Sequence, residues 1–388
     1  MDHIIHYDPA LPSDITTPCY VVDLKRLEAN LEILQDVQDQ TDCRILGALK
    51  GFAMHSVFPI MKEYLAGVCA SGPHEAQLGF EEFGKEVHAY APAYSEADME
   101  DLITYAHHIS FNSFNQWELH KETTQQADHK ISCGLRVNPE YSEVSTELYN
   151  PCAKGSRLGI RREEFEDRSL EGIEGLHFHT MCEQGADTLV RTLEKFEEKF
   201  GDLLMSMKWV NFGGGHHISS PSYDVDLLVD TILSFQNRYP NLQVYLEPGE
   251  ALAINTGVLV SKVLDIIQED DQPIAILDTS ATCHMPDTLE MPYRAEIYGA
   301  GKPKEKEFTY KLGGLSCLSG DVIGDYSFDQ PLKVGDTLSF LDMAHYTMVK
   351  TTTFNGIKHP DIATWDPESK DFKVVRKFGY EDYKNRLS

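Results

Sequence analysis

Four features of this sequence, each of which follows a short apolar segment, could carry out chemistry. They are Lys50, His179, the run Gly213, Gly214 and Gly215, and Glu247. A lysine at the end of an apolar strand is partly desolvated, which favours the neutral amine needed to form a Schiff base. Consecutive glycines let an anion approach backbone N–H groups without obstruction by a Cβ atom. These residue types indicate imine chemistry beside a bound anion.

The glutamate and the histidine suit an aromatic cofactor. A carboxylate beside a pyridine ring keeps the ring nitrogen protonated by charge pairing, and the charged ring then accepts electrons from a carbanion. His179 is a candidate for stacking on such a ring. Taken singly, each feature also has a structural explanation: a surface lysine, a tight turn, a hydrated acid or a packed core histidine. Their shared position in the fold therefore decides the interpretation.

The apolar segments belong to a regular alternation of strands and amphipathic helices from about residue 40 to 250. Eight of them are rich in β-branched, aromatic or aliphatic residues and are stopped by Gly, Pro or Asn, which predicts strands. They cover residues 44–50, 67–72, 86–92, 108–113, 131–138, 173–180, 208–215 and 243–249. Eight alternations fit a (β/α)8 barrel, whose active site forms at the carboxyl ends of its strands. The barrel would gather all four features at one mouth.

The sequence after about residue 251 changes character and predicts a second, all-β domain. Seven strand-like segments alternate with turns and no long helix interrupts them. They are GVLVSKVLDII, PIAILDT, RAEIYGA, EFTYKL, TLSFLD, HYTMVKTTTF and FKVVRKF. An extra strand, CYVVD at 19–23, precedes the barrel and is expected to join the β domain. The expected division is thus 1–23 with the β domain, 24–250 as the barrel, and 251–388 as the β domain.

Composition excludes several classes of protein. A formal net charge of −28 argues against nucleic acid as a partner, since phosphate backbones are bound by clustered Lys and Arg. No apolar run is long enough to cross a bilayer, and the first residues lack the basic flank and apolar stretch of a secretion signal. Eight scattered cysteines without a CxxC pair indicate free thiols. We expect a cytoplasmic protein, and no metal site at His216–His217, because no acidic partner lies at ligand spacing.

The motifs ALKGFA, GLHFHTMCE, NFGGG, EPGEA, SCLSGD and AHYTM occur in this order over nearly the whole chain. Together they resemble the fold-type III pyridoxal 5'-phosphate (PLP) decarboxylases, which include ornithine and diaminopimelate decarboxylases. The resemblance implies an α/β, alanine racemase-like fold, a barrel plus a C-terminal all-β domain, with PLP as cofactor. It also implies that Lys50 carries the cofactor, His179 stacks on its ring, Glu247 pairs with its pyridine nitrogen, and Gly213–Gly215 and Tyr346 contact its phosphate.

The motif SCLSGD carries two further implications of the resemblance. Cys317 is similar to the cysteine that returns a proton to the substrate, and Asp321 to the acid that meets the distal amine. In this family the loop enters the active site of the other subunit. A homodimer with shared active sites is therefore implied.

The chain departs from the ornithine and diaminopimelate enzymes where they carry Arg after EPG. Glu250 stands there, and a glutamate attracts an amine and repels a second carboxylate. Asp287 could pair with another amine, or could be a solvated turn residue. A polycationic substrate is thus expected, and the resemblance implies decarboxylation of carboxynorspermidine or carboxyspermidine in polyamine biosynthesis. The alternatives are a diaminopimelate or other basic amino acid decarboxylase, a non-catalytic regulatory protein with a PLP-enzyme fold, and a racemase, for which no second acid–base group is found.

Overall fold

The computed structural model describes residues 4–388, which divide into two compact units. One unit is Ala29–Leu252, and the other comprises the chain up to Glu28 together with Ala253–Ser388. The first contains a closed barrel and the second a mostly antiparallel sheet. Within residues 4–388, no helix combines the length and apolar character that crossing a bilayer requires.

The opening strand β1 (Cys19–Asp23) is followed by the first helix α1 (Leu24–Thr41), which belongs to the barrel unit from Ala29 onward. Each of its eight strands runs parallel to its neighbours, and pairing of the first with the last closes the barrel. The strands are β2 (Arg44–Ala48), β3 (Gly67–Ala70), β4 (Glu86–Tyr90), β5 (His108–Phe111), β6 (Ser132–Arg136), β7 (Ile173–His177), β8 (Trp209–Asn211) and β9 (Gln243–Leu246).

Helices connect most of the barrel strands, as the alternation predicts. They are α2 (Phe58–Tyr64), α3 (Pro73–Leu78), α4 (Glu96–Tyr105), α5 (Phe114–Thr124), α6 (Ala186–Leu204), α7 (Val225–Arg238) and α8 (Glu250–Ala253). A π-helical turn, Gly79–Phe83, extends α3. The connection from β6 to β7 differs from the prediction, since it contains two 3-10 turns, Glu147–Tyr149 and Arg162–Phe165, instead of an α-helix.

The helices form where apolar residues recur at helical spacing. In α6, Leu189, Leu193, Phe196 and Phe200 are buried, and their spacing of three or four residues places them on one face. The buried face continues to Leu204, whereas Leu203 is only half-buried. Burial of this apolar face, rather than helix propensity alone, is the main source of the stability of such a helix.

A large tryptophan fills the barrel interior next to two glycines. A Cβ atom built on Gly175 would lie 2.0 Å from Trp209 Cδ2, and one on Gly134 would lie 2.4 Å from Trp209 Cη2. Trp209 itself is buried, packs with Leu46 and Tyr245, and donates its indole N–H to a serine hydroxyl. The glycines in SCGLR and IEGLH are therefore required by the packing of one side chain on β8.

The second unit is built on an eight-stranded sheet. Its central path runs β13–β12–β11–β10–β1–β15–β16, and β14 pairs with β10 off this path. The opening strand β1 lies inside this sheet, antiparallel to β10 and parallel to β15. The later strands are β10 (Gly257–Ile267), β11 (Ile274–Leu277), β12 (Phe308–Gly313), β13 (Val322–Phe328), β14 (Thr337–Leu341), β15 (Asp361–Asp366) and β16 (Asp371–Arg376).

The helices of this unit are short, as the absence of long apolar periodicity predicts. They are α9 (Ala281–His284), α10 (Asp287–Glu290) and α11 (Tyr380–Lys384), with 3-10 turns at Met348–Lys350 and Phe354–Gly356.

Two predicted strands of this unit are wrong, and two strands were missed. The segment 294–300 forms only an isolated bridge at Ile297, and the segment 345–354 forms turns. In the latter, Tyr346 has a φ of 51°, which is incompatible with extended backbone. The missed strands, β13 and β15, contain glycine or acidic residues that weaken a local strand signal. The predicted fold class, a barrel plus an all-β domain, is confirmed.

We expect Gly175→Ala to destabilise the barrel, because its Cβ would overlap the buried Trp209 ring. Overpacking of this kind costs typically about 1–3 kcal/mol. The measurement is the denaturant midpoint of unfolding. Gly72→Ala is the matched control, since its Cβ would meet nothing within 4 Å and its φ of 179° suits any residue. Equal midpoints for the two variants would contradict the packing explanation.

Candidate active site

Lys50 lies in the turn that follows β2, not in the strand itself. The strand ends at Ala48, whose N–H donates to the carbonyl of Pro248, and residues 49–51 turn back. The Lys50 side chain is exposed. The predicted partial desolvation of the Lys50 amine is therefore wrong. Lys50 lies two residues beyond the end of β2, where its side chain is exposed to solvent.

His179 and the glycine run meet at the ends of β7 and β8. The N–H of Gly214 donates to His179 Nδ1 at 2.8 Å, and the N–H of Gly213 donates to Asn211 Oδ1 at 2.8 Å. Two of the three amides expected to face an anion thus bind side chains of the barrel itself. The first of these bonds makes His179 Nδ1 an acceptor and places the proton of the neutral ring on Nε2.

The three glycines are also required by close backbone approach. A Cβ on Gly213 would lie 2.4 Å from the carbonyl oxygen of Phe178, and one on Gly215 would lie 2.0 Å from that of Met181. Both residues have positive φ, 72° and 85°. The run therefore allows the loop after β8 to pass against the loop after β7, which is a packing reason that the sequence alone did not reveal.

Glu247 follows β9 directly and is held from two sides. Its Oε1 accepts a hydrogen bond from Asn211 Nδ2 at 2.7 Å, and its Oε2 lies 3.5 Å from His177 Nε2. Asn211 and His177 are both almost completely buried, so the carboxylate sits at the edge of a polar group inside the barrel.

Electrostatic effects show that Lys50, His179 and Glu247 belong to one group. The pKa of His179 lies well below its usual range, because of burial first and then the positive charges of Lys50 and Arg136. The pKa of the Cys69 thiol lies well above its usual range, because of burial and of Glu247, while Lys50 opposes this effect. The structure thus brings together the amine, the ring and the carboxylate from three strands.

Buried polar atoms at the same strand ends test whether the site fits a polar cofactor. Among the described side chains, those of His177, Thr180 and Gln184 carry buried nitrogen or oxygen atoms without a hydrogen-bond partner. Leaving such a group unsatisfied costs about 1–3 kcal/mol. A ligand with a charged phosphate and a heteroaromatic ring supplies partners for groups of this kind, so the residues present fit PLP.

Glu250 lies in a second polar group at the barrel mouth. His217 Nε2 is 2.9 Å from Glu250 Oε2, and ligand atoms of Glu183, His217 and Glu250 all lie within 4.8 Å of one another. The sequence argument that no acidic partner accompanies His217 is therefore wrong, because Glu183 comes from the loop after β7 and Glu250 from the first residue of α8. We call these three residues the acidic cluster. The nearby Cys182 thiol has its pKa raised to about 12 by burial and by both carboxylates.

Cys317 and Asp321 lie in the sheet unit and differ in exposure. Cys317 is exposed, and its backbone N–H donates to Asn355 Oδ1 at 2.7 Å. Asp321 is only 4% exposed, and its carboxylate accepts hydrogen bonds from the Ser280 hydroxyl and from the N–H groups of Thr282 and Ser316. These bonds give Asp321 a structural role in joining the loop before β13 to the turn after β11.

Asp287 and Tyr346 also belong to the sheet unit. Asp287 begins α10 and forms an ion pair with Lys350, which also contacts Glu290 at 2.9 Å. Tyr346 is half-buried and adopts a left-handed backbone conformation, which costs a bulky residue on the order of 1–3 kcal/mol. Such strain is typical of functional positions, whereas the ion pair gives Asp287 a partner within its own unit.

The sequence analysis missed several residues of the barrel group. Three of them are polar residues inside strands that are otherwise apolar, namely Arg136, His177 and Asn211, and all three are buried. A polar residue inside an apolar strand was the sequence signal that could have identified them. Arg136 Nη2 donates to the carbonyl of His179, and its guanidinium lies 4.4 Å from the centre of the Tyr90 ring. Glu183 was missed because nothing in its local sequence distinguishes it from a surface acid.

A closed (β/α)8 barrel, combined in one chain with a mostly antiparallel sheet and carrying this group at its strand ends, defines the fold-type III class of PLP enzymes. The family model described as "Pyridoxal-dependent decarboxylase, C-terminal sheet domain" matches residues 19–344. The chain therefore belongs to the pyridoxal-dependent decarboxylase family, and it is a decarboxylase.

Individual relatives cover almost the whole chain. It is 48% identical to the carboxyaminopropylagmatine decarboxylase of Synechocystis sp., over 97% of this chain and 96% of that protein. It is 46% identical to the carboxynorspermidine/carboxyspermidine decarboxylase of Campylobacter jejuni, over 96% of this chain and 98% of that protein. The crystal structure of carboxynorspermidine decarboxylase from C. jejuni, complexed with norspermidine, aligns with a TM-score of 0.88 at 45% identity, covering 96% of this chain and all of that one (100%).

Proposed function

We propose that this protein binds PLP through Lys50 and decarboxylates a carboxylated polyamine, carboxynorspermidine or carboxyspermidine, at the mouth of its barrel. One observation carries the proposal: the charge of Lys50 acts on both His179 and Cys69, and the carboxylate of Glu247 acts on Cys69 and lies 3.5 Å from His177. An amine, an aromatic ring and a carboxylate are the three groups that a pyridine aldehyde cofactor requires.

The bound cofactor would supply an electron sink for the bond that joins Cα of the substrate to its departing carboxylate. Lys50, exposed at the turn after β2, would hold the cofactor where the amine of an incoming substrate can reach it. His179 would lie flat against the ring, and Glu247 would keep a negative charge beside the ring nitrogen. Gly215, with the hydroxyl of Thr180, would contact the phosphate, and the phosphate contact of Tyr346 stays a prediction.

The acidic cluster supports a cationic substrate. Two carboxylates within reach of one imidazole attract an ammonium group by their negative charge. A substrate with a second carboxylate, such as diaminopimelate, would be repelled there. We assign amine binding to Glu250 and Glu183, because the two carboxylates lie together in the acidic cluster. Asp287 and Asp321 have partners in the sheet unit, and their assignment to the substrate stays a prediction.

The relatives' names set the range of substrates to be compared. One is named for carboxynorspermidine and carboxyspermidine and another for carboxyaminopropylagmatine. All three carry cationic nitrogen far from the carboxylate that is lost, which suits the acidic cluster. The guanidinium of carboxyaminopropylagmatine is planar and bidentate, whereas a primary ammonium is compact. Carboxyaminopropylagmatine is therefore the second candidate substrate.

Exposed apolar residues around Cys317 support a homodimer with shared active sites. Four apolar residues in the loop of Cys317, or close to it in sequence or in space, are between 37% and 47% exposed. They are Leu315, Leu318, Val322 and Phe354. Apolar surface of this kind is typical of an interface with another chain. Within a dimer, the Cys317 thiol would return a proton to Cα of the substrate bound to the partner subunit. All eight cysteines are free thiols, which supports a cytoplasmic enzyme.

The proposed function is tested by adding PLP to purified protein and measuring CO2 release from carboxynorspermidine, carboxyspermidine, carboxyaminopropylagmatine, diaminopimelate and ornithine. We expect the first two to react fastest. Lys50→Ala should lose the visible absorption band of the bound cofactor and reduce turnover to background, while Lys62→Ala, in the same unit, keeps both. An unchanged band in Lys50→Ala would exclude Lys50, and preference for diaminopimelate would exclude the substrate assignment.

Glu250→Gln should raise the KM for the carboxylated polyamine about 10- to 100-fold, because a hydrogen bond to a charged group contributes about 1.5–3 kcal/mol. The affinity for PLP should stay unchanged, since Glu250 is assigned to the substrate. Steady-state kinetics and a PLP titration provide the two measurements. Glu63→Gln, at an exposed position of α2, is the control. A parallel loss of PLP affinity would mean that Glu250 serves the cofactor.

Mixing two inactive variants tests the shared active sites. If Cys317 acts in the partner's site, heterodimers of Lys50→Ala and Cys317→Ala regain one intact site of two, and a statistical mixture recovers about a quarter of wild-type activity. If each site is formed within one chain, every heterodimer has two damaged sites and the mixture stays inactive. The measurement is turnover after the subunits have been dissociated and reassociated together, with each variant treated alone as the control.

A further inference from the structure

A buried histidine with unsatisfied ring nitrogens faces the carboxylate of Glu247. His177 is the last residue of β7 and is 1% exposed. Among the described residues, neither of its ring nitrogens has a hydrogen-bond partner. Its Nε2 lies 3.5 Å from Glu247 Oε2, just beyond hydrogen-bond distance. Burying an imidazole in this way has a cost that packing alone does not explain.

The surroundings of His177 keep its ring neutral and fix its orientation. Burial lowers the pKa of His177 to about 4, opposed by Glu247 and assisted by Arg136 and Lys50. The neutral ring therefore carries a single N–H at pH 7. The ring meets the Tyr90 ring edge to face, with centroids 5.4 Å apart and an interplanar angle of 90°, and Arg136 lies over Tyr90. These contacts direct Nε2 toward the carboxylate.

We propose that His177 is a positioning residue that donates its Nε2–H to Glu247 Oε2. Asn211 already donates to the other oxygen, Oε1, at 2.7 Å. The two donors would hold the plane of the carboxylate from opposite sides, and only a small movement of the His177 ring is needed to complete the second bond. The inference rests on the proposed function, because it assigns to Glu247 the role of partner to the cofactor's ring nitrogen.

The second hydrogen bond has a chemical consequence. Each N–H that a carboxylate accepts stabilises its anionic form. A ring proton shared between the pyridine nitrogen and Glu247 would therefore stay on the nitrogen, and the ring would remain a strong electron sink. Loss of the His177 donor should let the proton move toward Glu247, which weakens the electron sink while leaving the side chains of the acidic cluster in place.

The test uses the holoenzyme and two substitutions of His177. His177→Phe keeps an aromatic ring against Tyr90 but removes the donor, whereas His177→Gln restores an N–H donor on a side chain of similar reach. We expect His177→Phe to lower kcat about 10- to 100-fold with KM changed less than about twofold, and His177→Gln to recover most of that loss. His129→Phe, in the loop before β6, is the control.

A second readout separates positioning from a general structural effect. PLP labelled with 15N in its ring gives a nitrogen chemical shift that reports protonation of the ring. In the wild type the shift should be that of a protonated nitrogen, and in His177→Phe it should move toward the unprotonated value. Wild-type kcat and an unchanged ring nitrogen in His177→Phe would overturn the inference.

The proposal stays testable if His177→Phe does not fold. Nitrogen-15 labelling of histidine in the wild-type holoenzyme, with the His177 signal assigned from its loss in His177→Gln, should show a neutral ring with its proton on Nε2. A proton on Nδ1 alone, or a doubly protonated ring at pH 7, would overturn the assignment. If the wild type with added PLP shows no visible absorption band, the proposed function itself fails. If the wild type shows a normal band but His177→Phe changes neither kcat nor the ring nitrogen, only the inference about His177 fails.

Discussion

The carboxylate of Glu247 is the charge around which the end of the barrel is organised. A negative charge this close to the interior is tolerated only when donors and opposite charges surround it, because desolvation otherwise favours the neutral acid. Asn211 donates to one oxygen, His177 lies beside the other, and Lys50 and Arg136 contribute positive charge to the same group. Polar residues inside β7 and β8 thus face the acid that follows β9.

The glycine residues of the barrel serve packing first and ligand access second. Gly134 and Gly175 leave space for one tryptophan ring, and Gly213 to Gly215 let two loops approach each other at the mouth. The amides of Gly213 and Gly214 are used by side chains of the barrel. If this loop binds the proposed phosphate, it would therefore use Gly215 and neighbouring polar groups such as Thr180 more than a row of three open amides.

Most of the fold could be predicted from the sequence, while the site could be predicted only in part. All eight barrel strands were found, yet each ends earlier than predicted, and this difference moves Lys50 and His179 from strand to turn. The sheet unit was harder, since strand propensity in residues 345–354 is overridden by the turn at Tyr346, and β13 and β15 carry little local signal. The local sequence pattern shows which face of a strand is buried, but it does not show at which residue tertiary contacts terminate the strand.

The sequence by itself determined the type and order of the candidate residues: an amine, a histidine, a glycine run and two glutamates, each after an apolar segment. That information is local, because residue type and hydrophobic period are properties of a short stretch of chain. Only the tertiary structure decided that His177 and Asn211 face Glu247, that Glu183 joins Glu250 and His217, and that Asp287 and Asp321 are already paired. Those relations join loops distant in sequence, and burial and direction exist only once the strands close into a barrel.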